Sequence, residues 1–470
     1  MTEHLKAGLA ALYEAREAGR VTINTDGVLH LSAIEALPAD GIPKRTRDLI
    51  FKEIGTVQFA DLIMEMDAHT GFSEVLRSRE ARDANELVSL YAALIAHGTE
   101  MDAKNVAAMI PQLDPAHIST AMRLLEMPGR LPRANDRVVE FQRTHPITEL
   151  WGTGRQASSD SKSLDTSRHL FYARVDPRRR THAVGMYTHV PDQHGIVYNQ
   201  PIVLNERQAG VAIEGVIRHN ENRDDGGVLR LSVDTHGYTN VGMAVSKLLG
   251  FDLCPGLRNL SERKLHLPRR VAAPDGLASV VAYEISVKAI RDGWEELLRL
   301  VASIHSGRVS ASVALQRFGS AAQGDPVYRA ADHFGRLLRT LFLCDYFSNV
   351  EFRREMHTLL NRGESVHQLQ RAIYTGKIAP ERGRRRDEMI AISGSLTLLT
   401  NLVIAWNTQR MQTTLDDWQS KGQRIDDDWL RRLGPAHFAH VNFRGTLSFP
   451  IDRYRDMLLD AAPWRRMAGT

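Results

Sequence analysis

Cysteine is nearly absent: Cys254 and Cys344 are the only two in 470 residues. Two thiols cannot build a disulfide framework, and no Cys pair has zinc-ligand spacing, so a reducing compartment is the expectation. Lysine is scarce too, since 10 of the 60 basic residues are Lys and 50 are Arg. Arginine grips phosphate through a planar fork, but a GC-rich genome also over-uses it, so the bias alone names no partner. A large charge of one sign is missing as well. The formal net charge of +4 allows local basic surfaces rather than a polycationic tail.

No uninterrupted apolar run is long enough to suggest a membrane span. The most apolar stretch, Ile390 to Trp406, is broken by Ser393, Gly394, Ser395, Thr397, Thr400 and Asn401, which is the pattern of a buried helix. The opening "MTEHLKAGLAALYEAREAG" carries acids and lacks the basic start and apolar core of a signal peptide, so a cytoplasmic location is expected. A Walker A sequence is absent. "HFAH" at His437 to His440 lacks the Glu of a zinc-protease helix, and "GTG" at 152–154 is not a dinucleotide fingerprint. There is no internal repeat and no low-complexity tract.

What is present is an ordinary globular composition, 43% hydrophobic and 25% charged. It has room for roughly two to four domains. Up to about Thr144 the apolar residues recur at helical intervals, as in "NELVSLYAALIAHG" and "HISTAMRLLEM". Strand signals follow: "RHLFYARVD", "HAVGMYTHV" and "GIVYNQPIVL" suggest a three-strand meander. Next come the helix "ERQAGVAIEGVIRH", the strand "VLRLSVDTHGYT", the helix "NVGMAVSKLLG" and a short strand at "FDLCPGL". Three strands, helix, strand, helix, strand is the order of an RNase H-like sheet. From about Arg258 to Asp345 strand signals vanish and helical stripes return, as in Ile290, Trp294, Leu297, Leu298, Val301 and Ile304.

The expected fold class is therefore α/β with large α-helical parts: an RNase H-like mixed sheet interrupted by a helical insertion and preceded by an α-helical domain. The segments are an α-helical scaffold domain (1–145), the first part of the core (146–257), the insertion (258–345), the core's later helix and the following long helix (346–420), and a C-terminal segment (421–470).

Three acids stand out. Asp160 lies among small residues where a first strand would begin or run. Asp234 ends the strand in which Leu229, Leu231 and Val233 alternate with polar residues, so the pleat turns it away from the apolar face. Glu364 lies in "LLNRGESVHQLQRAIYTG", where Asn361 and Glu364 have the spacing of a helix-capping box. Each has a local explanation: a Ser-rich turn, an Asx turn before Gly237, a cap. Brought together, three carboxylates would repel one another unless a multivalent cation neutralised them. Oxygen-only ligands favour Mg2+ or Mn2+, and two such ions suit phosphoryl transfer.

Eight ordered blocks carry a resemblance: "WGTGRQASSD", "YTHVPDQHG", "VDTHGYTNVGMAVSKLLGFDLCP", "WEELLRLVASIHSGRVSASVALQRFGS", "LLRTLFLCDYF", "LNRGESVHQLQRAIYTG", "LVIAWNTQRM" and "LGPAHFAHVNFRGTLSF". From about residue 50 almost to the end, the chain resembles the DDE transposases of class II replicative transposons, the Tn-three family, in their C-terminal catalytic half. The resemblance implies an RNase H-like core in which Asp160, Asp234 and Glu364 are the DDE triad and hold Mg2+ or Mn2+, as two ions. It implies cleavage at transposon ends and strand transfer of the 3′-OH into target DNA. The implied partners are inverted-repeat end DNA, target DNA, a second copy in an end-bound homodimer, and a separate resolvase acting downstream. The implied place is the bacterial nucleoid. Members are longer and recognise ends through preceding domains, so the alternative expectation is a non-catalytic derivative acting as a DNA-binding, assembly or regulatory factor. Arg178, Arg179, Arg180, Arg362, His367, Arg371, Arg384, Arg385 and Arg386 are the candidate phosphate contacts.

Overall fold

The computed structural model describes all residues except 1, 25–26, 36–40, 111–112, 177–178, 205, 222, 224–225, 257, 261–262, 319–323 and 458–470; for 2 and 41–43 only the backbone is described. Labels below cover the main sheet and the helices that bear on the site. The sheet strands are β1 (Gln156–Asp165), β2 (Arg174–Val175), β3 (His182–Pro191), β4 (Tyr198–Ile202), β5 (Arg230–Val233) and β6 (Asp252–Pro255). The helices are α1 (Ala84–Gly98), α2 (Arg130–Arg143), α3 (Ala209–Asn220), α4 (Asn240–Leu248), α5 (Pro326–Ser348), α6 (Val350–Ile373) and α7 (Arg386–Ser420).

The sheet order is β2-β3-β1-β5-β6, with β4 also paired to β3. β4 runs antiparallel to β3, whereas β1, β5 and β6 run parallel. With α3 between β4 and β5, and α4 between β5 and β6, this is the expected order of strands and helices. It makes a mixed sheet.

The meander is corrected in one respect. Its first long strand is the Ser-rich "QASSDSKSLD", and "RHLFYARVD" contributes only the two-residue β2. β1 has few β-branched residues, but its small Ala157, Ser158 and Ser159 are buried in the middle of the sheet, where tertiary pairing overrides propensity.

The chain divides into two compact units, residues 1–37, 155–160 and 207–361, and residues 38–154, 161–206 and 362–470. In the first unit β1 enters the parallel part of the sheet. Thr239 caps α4, its Oγ1 accepting from the Gly242 N–H at 2.9 Å. Asn240 Nδ2 then donates to Asp332 of α5 at 2.8 Å. The 258–345 segment, expected to be helical, also contains a short parallel pair, Leu265–Pro268 with Val281–Ile285. Such short runs fall below what alternation can signal.

The second unit is built around α7. Its apolar stretch is buried, with Ile392, Leu396, Leu399, Leu402 and Val403 in a core shared with α1 and α2. The polar interruptions have packing roles. A Cβ on Gly394 would meet the Leu131 side chain of α2 at 3.0 Å, tighter than ordinary contact, so the glycine eases the close approach of the two helices. Asn401 donates to Asn135 Oδ1 and the Ile196 carbonyl, each at 2.8 Å, and accepts from the Ile196 N–H at 2.8 Å. α7 is long and apolar enough to cross a membrane, yet 94% of its most apolar window is buried in the protein. α1 is capped by Asp83, which accepts from the Glu86 N–H at 2.8 Å. Both cysteines are free and buried.

Candidate active site

The parallel register fixes two of the three acids. Gln156 pairs with Arg230, Ala157 with Leu231, Ser158 with Ser232 and Ser159 with Val233. The next residues along the two chains are Asp160 and Asp234. Neighbouring strands lie about 4.8 Å apart, and the two aspartates directly follow the last paired positions of adjacent strands. They stand where β5 and β6 end, and the carboxyl ends of parallel strands are where open α/β sheets bind ligands.

Asp234 is held by its own turn. Its Oδ1 accepts from the N–H groups of His236 at 2.9 Å and Gly237 at 2.8 Å, the expected Asx turn. Thr235 Oγ1 donates to the Gly256 carbonyl at 2.8 Å, and the Gly256 N–H donates to the Val233 carbonyl at 2.7 Å. A Cβ on Gly256 would meet the Val233 carbonyl oxygen at 3.2 Å and Leu360 of α6 at 3.4 Å. The Asp234 turn and the Leu360 turn of α6 are thus packed through a glycine. Glu364 follows Leu360 by four residues, about one turn of the same helix.

Here the capping reading is overturned. α6 begins at Val350, which puts Asn361 and Glu364 in mid-helix. Buried Met356 and Leu359 continue the apolar face of Val366, Leu369 and Ile373 back past Gly363. A glycine there costs about 1 kcal/mol against alanine, less than two extra turns of buried face contribute. Glu364 is exposed and forms an ion pair with Arg371, two turns further on.

The cationic candidates separate by placement. Arg362 donates through Nη1 to the Trp151 carbonyl at 2.9 Å and to that of Asp192. His367 is buried and its Nε2 bonds the Thr188 hydroxyl at 2.9 Å. Burial pushes its imidazole down to about 3, with the Arg371 and Lys162 charges adding to the effect. Both residues are therefore engaged internally, contrary to the expectation that they face phosphates. Arg179 is tied to Asp165 at 3.0 Å and Asp176 at 3.1 Å. Arg180 is exposed with φ of 58°, and Arg178 lies outside the described residues. Arg384 donates to the Pro380 carbonyl at 2.8 Å, Arg385 pairs with Glu126 at 2.5 Å, and Arg386 opens α7 on the surface.

Lys162 escaped the sequence reading. It is 3% exposed, two residues beyond Asp160 on β1, and its Nζ has no hydrogen-bond partner. Burial pushes its ammonium down to about 7, and the Arg371 charge adds to this. A first strand running through Asp160, extended to residue 162, puts Lys162 on the face of Asp160 by its period of two.

Among the described residues, no group of three or more His, Cys, Asp or Glu side chains is gathered to hold a metal ion. The two aspartates nonetheless have the right donor chemistry, carboxylate oxygens, for a hard divalent cation, one inside β1 and one just past the end of β5.

The Tn3 transposase DDE domain family matches residues 61–447. This chain belongs to the Tn3 transposase family. A relative from Comamonas testosteroni, the transposase for insertion sequence element IS1071 in transposon Tn5271, is 45% identical over 464 residues, covering 99% of this chain and 47% of the relative. The Tn21 transposase from Escherichia coli is 27% identical over 430 residues, and the Tn4556 transposase from Streptomyces fradiae 25% over 442. They cover 89% and 93% of this chain, and 43% and 49% of their own lengths. The chain thus spans about half the length of these Tn3-family relatives. A Tn3-family DDE domain implies an RNase H-like fold, in keeping with the observed strand order.

Proposed function

We propose that this chain carries the catalytic core of a DNA transposase that cleaves transposon ends and transfers the freed 3′-OH strand into target DNA, with Asp160, Asp234 and Glu364 as the ligands of two Mg2+ or Mn2+ ions. The observation that carries the proposal is the pairing of Ser159 of β1 with Val233 of β5, each followed by an aspartate, in a chain of the Tn3 transposase family. When bound, divalent ions supply neutralisation of the carboxylates and polarisation of the attacked phosphate.

The chain's own groups do the rest. The turn N–H groups of His236 and Gly237 orient Asp234, and Arg371 gives Glu364 a counter-charge that phosphates would also attract. In cleavage a water oxygen bonds the scissile phosphorus, the P–O3′ bond breaks, and a 3′-OH and a 5′-phosphate result. In strand transfer that 3′-OH is the nucleophile, and the target strand's 3′-oxygen leaves. Neither step needs a covalent enzyme intermediate.

The proposed partners are inverted-repeat end DNA, target DNA and a second copy that pairs two ends, with a separate resolvase downstream, in the bacterial nucleoid. The test is nicking of end-bearing DNA with Mg2+ by wild type and Asp234→Asn, scored beside gel retention. Loss of nicking with retention intact supports the proposal. Nicking by Asp234→Asn overturns the triad, and an inactive wild type that retains DNA favours the assembly-factor reading.

A further inference from the structure

Phe171 stands apart from its kind. The chain has 14 phenylalanines, and among them Phe171 alone is exposed, at 40%. It lies in the second unit, in the turn between β1 and β2. Leu170 before it and Ala173 after it are buried, and Tyr172 has a left-handed φ of 66°, an unusual conformation for a bulky residue. The turn is also tied to the segment that follows α6. The Phe171 N–H donates to the Gly383 carbonyl at 2.8 Å, and the Ile378 N–H donates to the Asp165 carbonyl at 3.0 Å. An anchored backbone, not a loose tip, therefore presents the ring to solvent. Among the described residues Tyr172 is its one ring contact, T-shaped with centroids 4.7 Å apart, so no second ring lies flat on it.

The surroundings of the ring are cationic. The stretch from Thr166 to Val175 carries Arg168 and Arg174 and no acid, and Arg384 follows Gly383 directly. All three arginines are exposed. Arg168 donates to His169 Nε2 at 3.1 Å, Arg174 to the Ala173 carbonyl at 2.8 Å and Arg384 to the Pro380 carbonyl at 2.8 Å. Among the described residues none of the three forms an ion pair, whereas neighbouring Arg385 is neutralised by Glu126. An aromatic ring among uncompensated cations is the arrangement that binds single-stranded nucleic acid, whose phosphates meet the cations while a base lies on the ring. Resting on the transposase reading above, we propose that Phe171 is a stacking platform for an unpaired base of a single DNA strand, with Arg168, Arg174 and Arg384 on its phosphates. A base inside an intact duplex has both faces covered by its neighbours. The ring therefore favours single-stranded over double-stranded DNA, which phosphate contacts alone would not do.

The test compares wild type with Phe171→Ala, Phe171→Leu, Phe171→Trp and Arg174→Gln. A fluorescein-labelled thymidine single strand and a random-sequence duplex are followed by anisotropy across a salt series. Sedimentation gives the oligomeric state, and Mg2+-dependent nicking of end-bearing DNA is scored in parallel. Phe171→Ala and Phe171→Leu should each bind the single strand about tenfold more weakly, the loss of one stacked base, with the wild-type salt slope and unchanged duplex affinity. Phe171→Trp should keep single-strand affinity. Arg174→Gln should instead make the single-strand plot of log affinity against log salt shallower by about 0.7. Wild-type single-strand affinity in Phe171→Leu, an equal loss on both DNAs, or no measurable single-strand binding by wild type overturns the inference. A wild-type dimer that Phe171→Ala abolishes, with single-strand affinity unchanged, assigns the face to a second copy and overturns it too. Should Phe171→Ala not fold, Phe171→Leu carries the comparison alone. A wild type that shows the stacking pattern yet never nicks defeats the catalytic reading while leaving the base contact standing. A nicking wild type matched in single-strand affinity by Phe171→Leu does the reverse.

Discussion

Ser159 faces Val233 across two parallel strands, and each is followed directly by an aspartate. Such a pairing fixes the spacing of Asp160 and Asp234 through backbone hydrogen bonds rather than through flexible side chains, which is how a rigid scaffold holds a reactive constellation.

Asp234→Asn keeps the shape of the turn, because its amide oxygen can still accept from His236 and Gly237. It removes a negative charge. Cleavage should fall by a factor on the order of 10⁴, as when one member of a catalytic unit is lost, with DNA retention and unfolding temperature close to wild type. Single-turnover nicking beside a thermal melt checks this.

Arg371→Gln breaks the Glu364 pair, in which both side chains are half exposed. A pair this open to solvent contributes less than about 1 kcal/mol, so denaturant unfolding should barely shift. Binding to duplex DNA should weaken and lose roughly 0.9 of salt slope if Arg371 meets a phosphate. A large fall in stability with an unchanged slope would show the arginine to be structural.

His367 is neutral in the folded chain, its pKa lying near 3 against 6.5 for a free imidazole. The unfolded chain takes up a proton below about 6.5 that the native chain refuses until about 3, so this histidine withdraws stability as pH falls through that window and none above it. Between pH 6.5 and pH 5 the loss is about 2 kcal/mol. His367→Gln does not titrate. Its urea midpoint should therefore fall less than that of wild type between pH 8 and pH 5, and its DNA salt slope should be unchanged. Parallel pH profiles would contradict the buried, neutral assignment.

Asn401→Leu conserves volume but strands the Ile196 N–H and Asn135 Oδ1 in the core, while the Ile196 carbonyl keeps its bond from Asn135 Nδ2. The cost should be about 3 kcal/mol, measured by urea unfolding. A change below 1 kcal/mol would mean water enters to replace the amide.

Much of this was legible in the sequence, and what was not has physical causes. The alternation of Leu231 and Val233 with Ser232 gave β5, and helical periods gave α1 and α7, because burial on one face or all round writes itself into the pattern. β1 was harder to read, since a central strand of small residues is stabilised by its neighbours rather than by its own propensity. The Asn361–Glu364 spacing mimicked a cap because local motifs cannot report an apolar face that starts at Met356. Lys162 went unseen because a strand expected only to begin or run at Asp160, without bounds, does not mark which residues beyond it are buried. Arginine enrichment proved partly structural, with Arg362 and Arg382 donating to backbone carbonyls inside the second unit.

The account turns on Asp160, Asp234 and Glu364 sharing divalent ions. Iron-directed cleavage measures this directly: Fe2+ is bound in place of Mg2+, ascorbate and peroxide are added, and the chain breaks are mapped by mass spectrometry. Breaks clustered near residues 160, 234 and 364, suppressed by Mg2+ and lost in Asp234→Asn, are the predicted result. Breaks near 160 and 234 with none near 364, in the presence of bound end DNA, would contradict it.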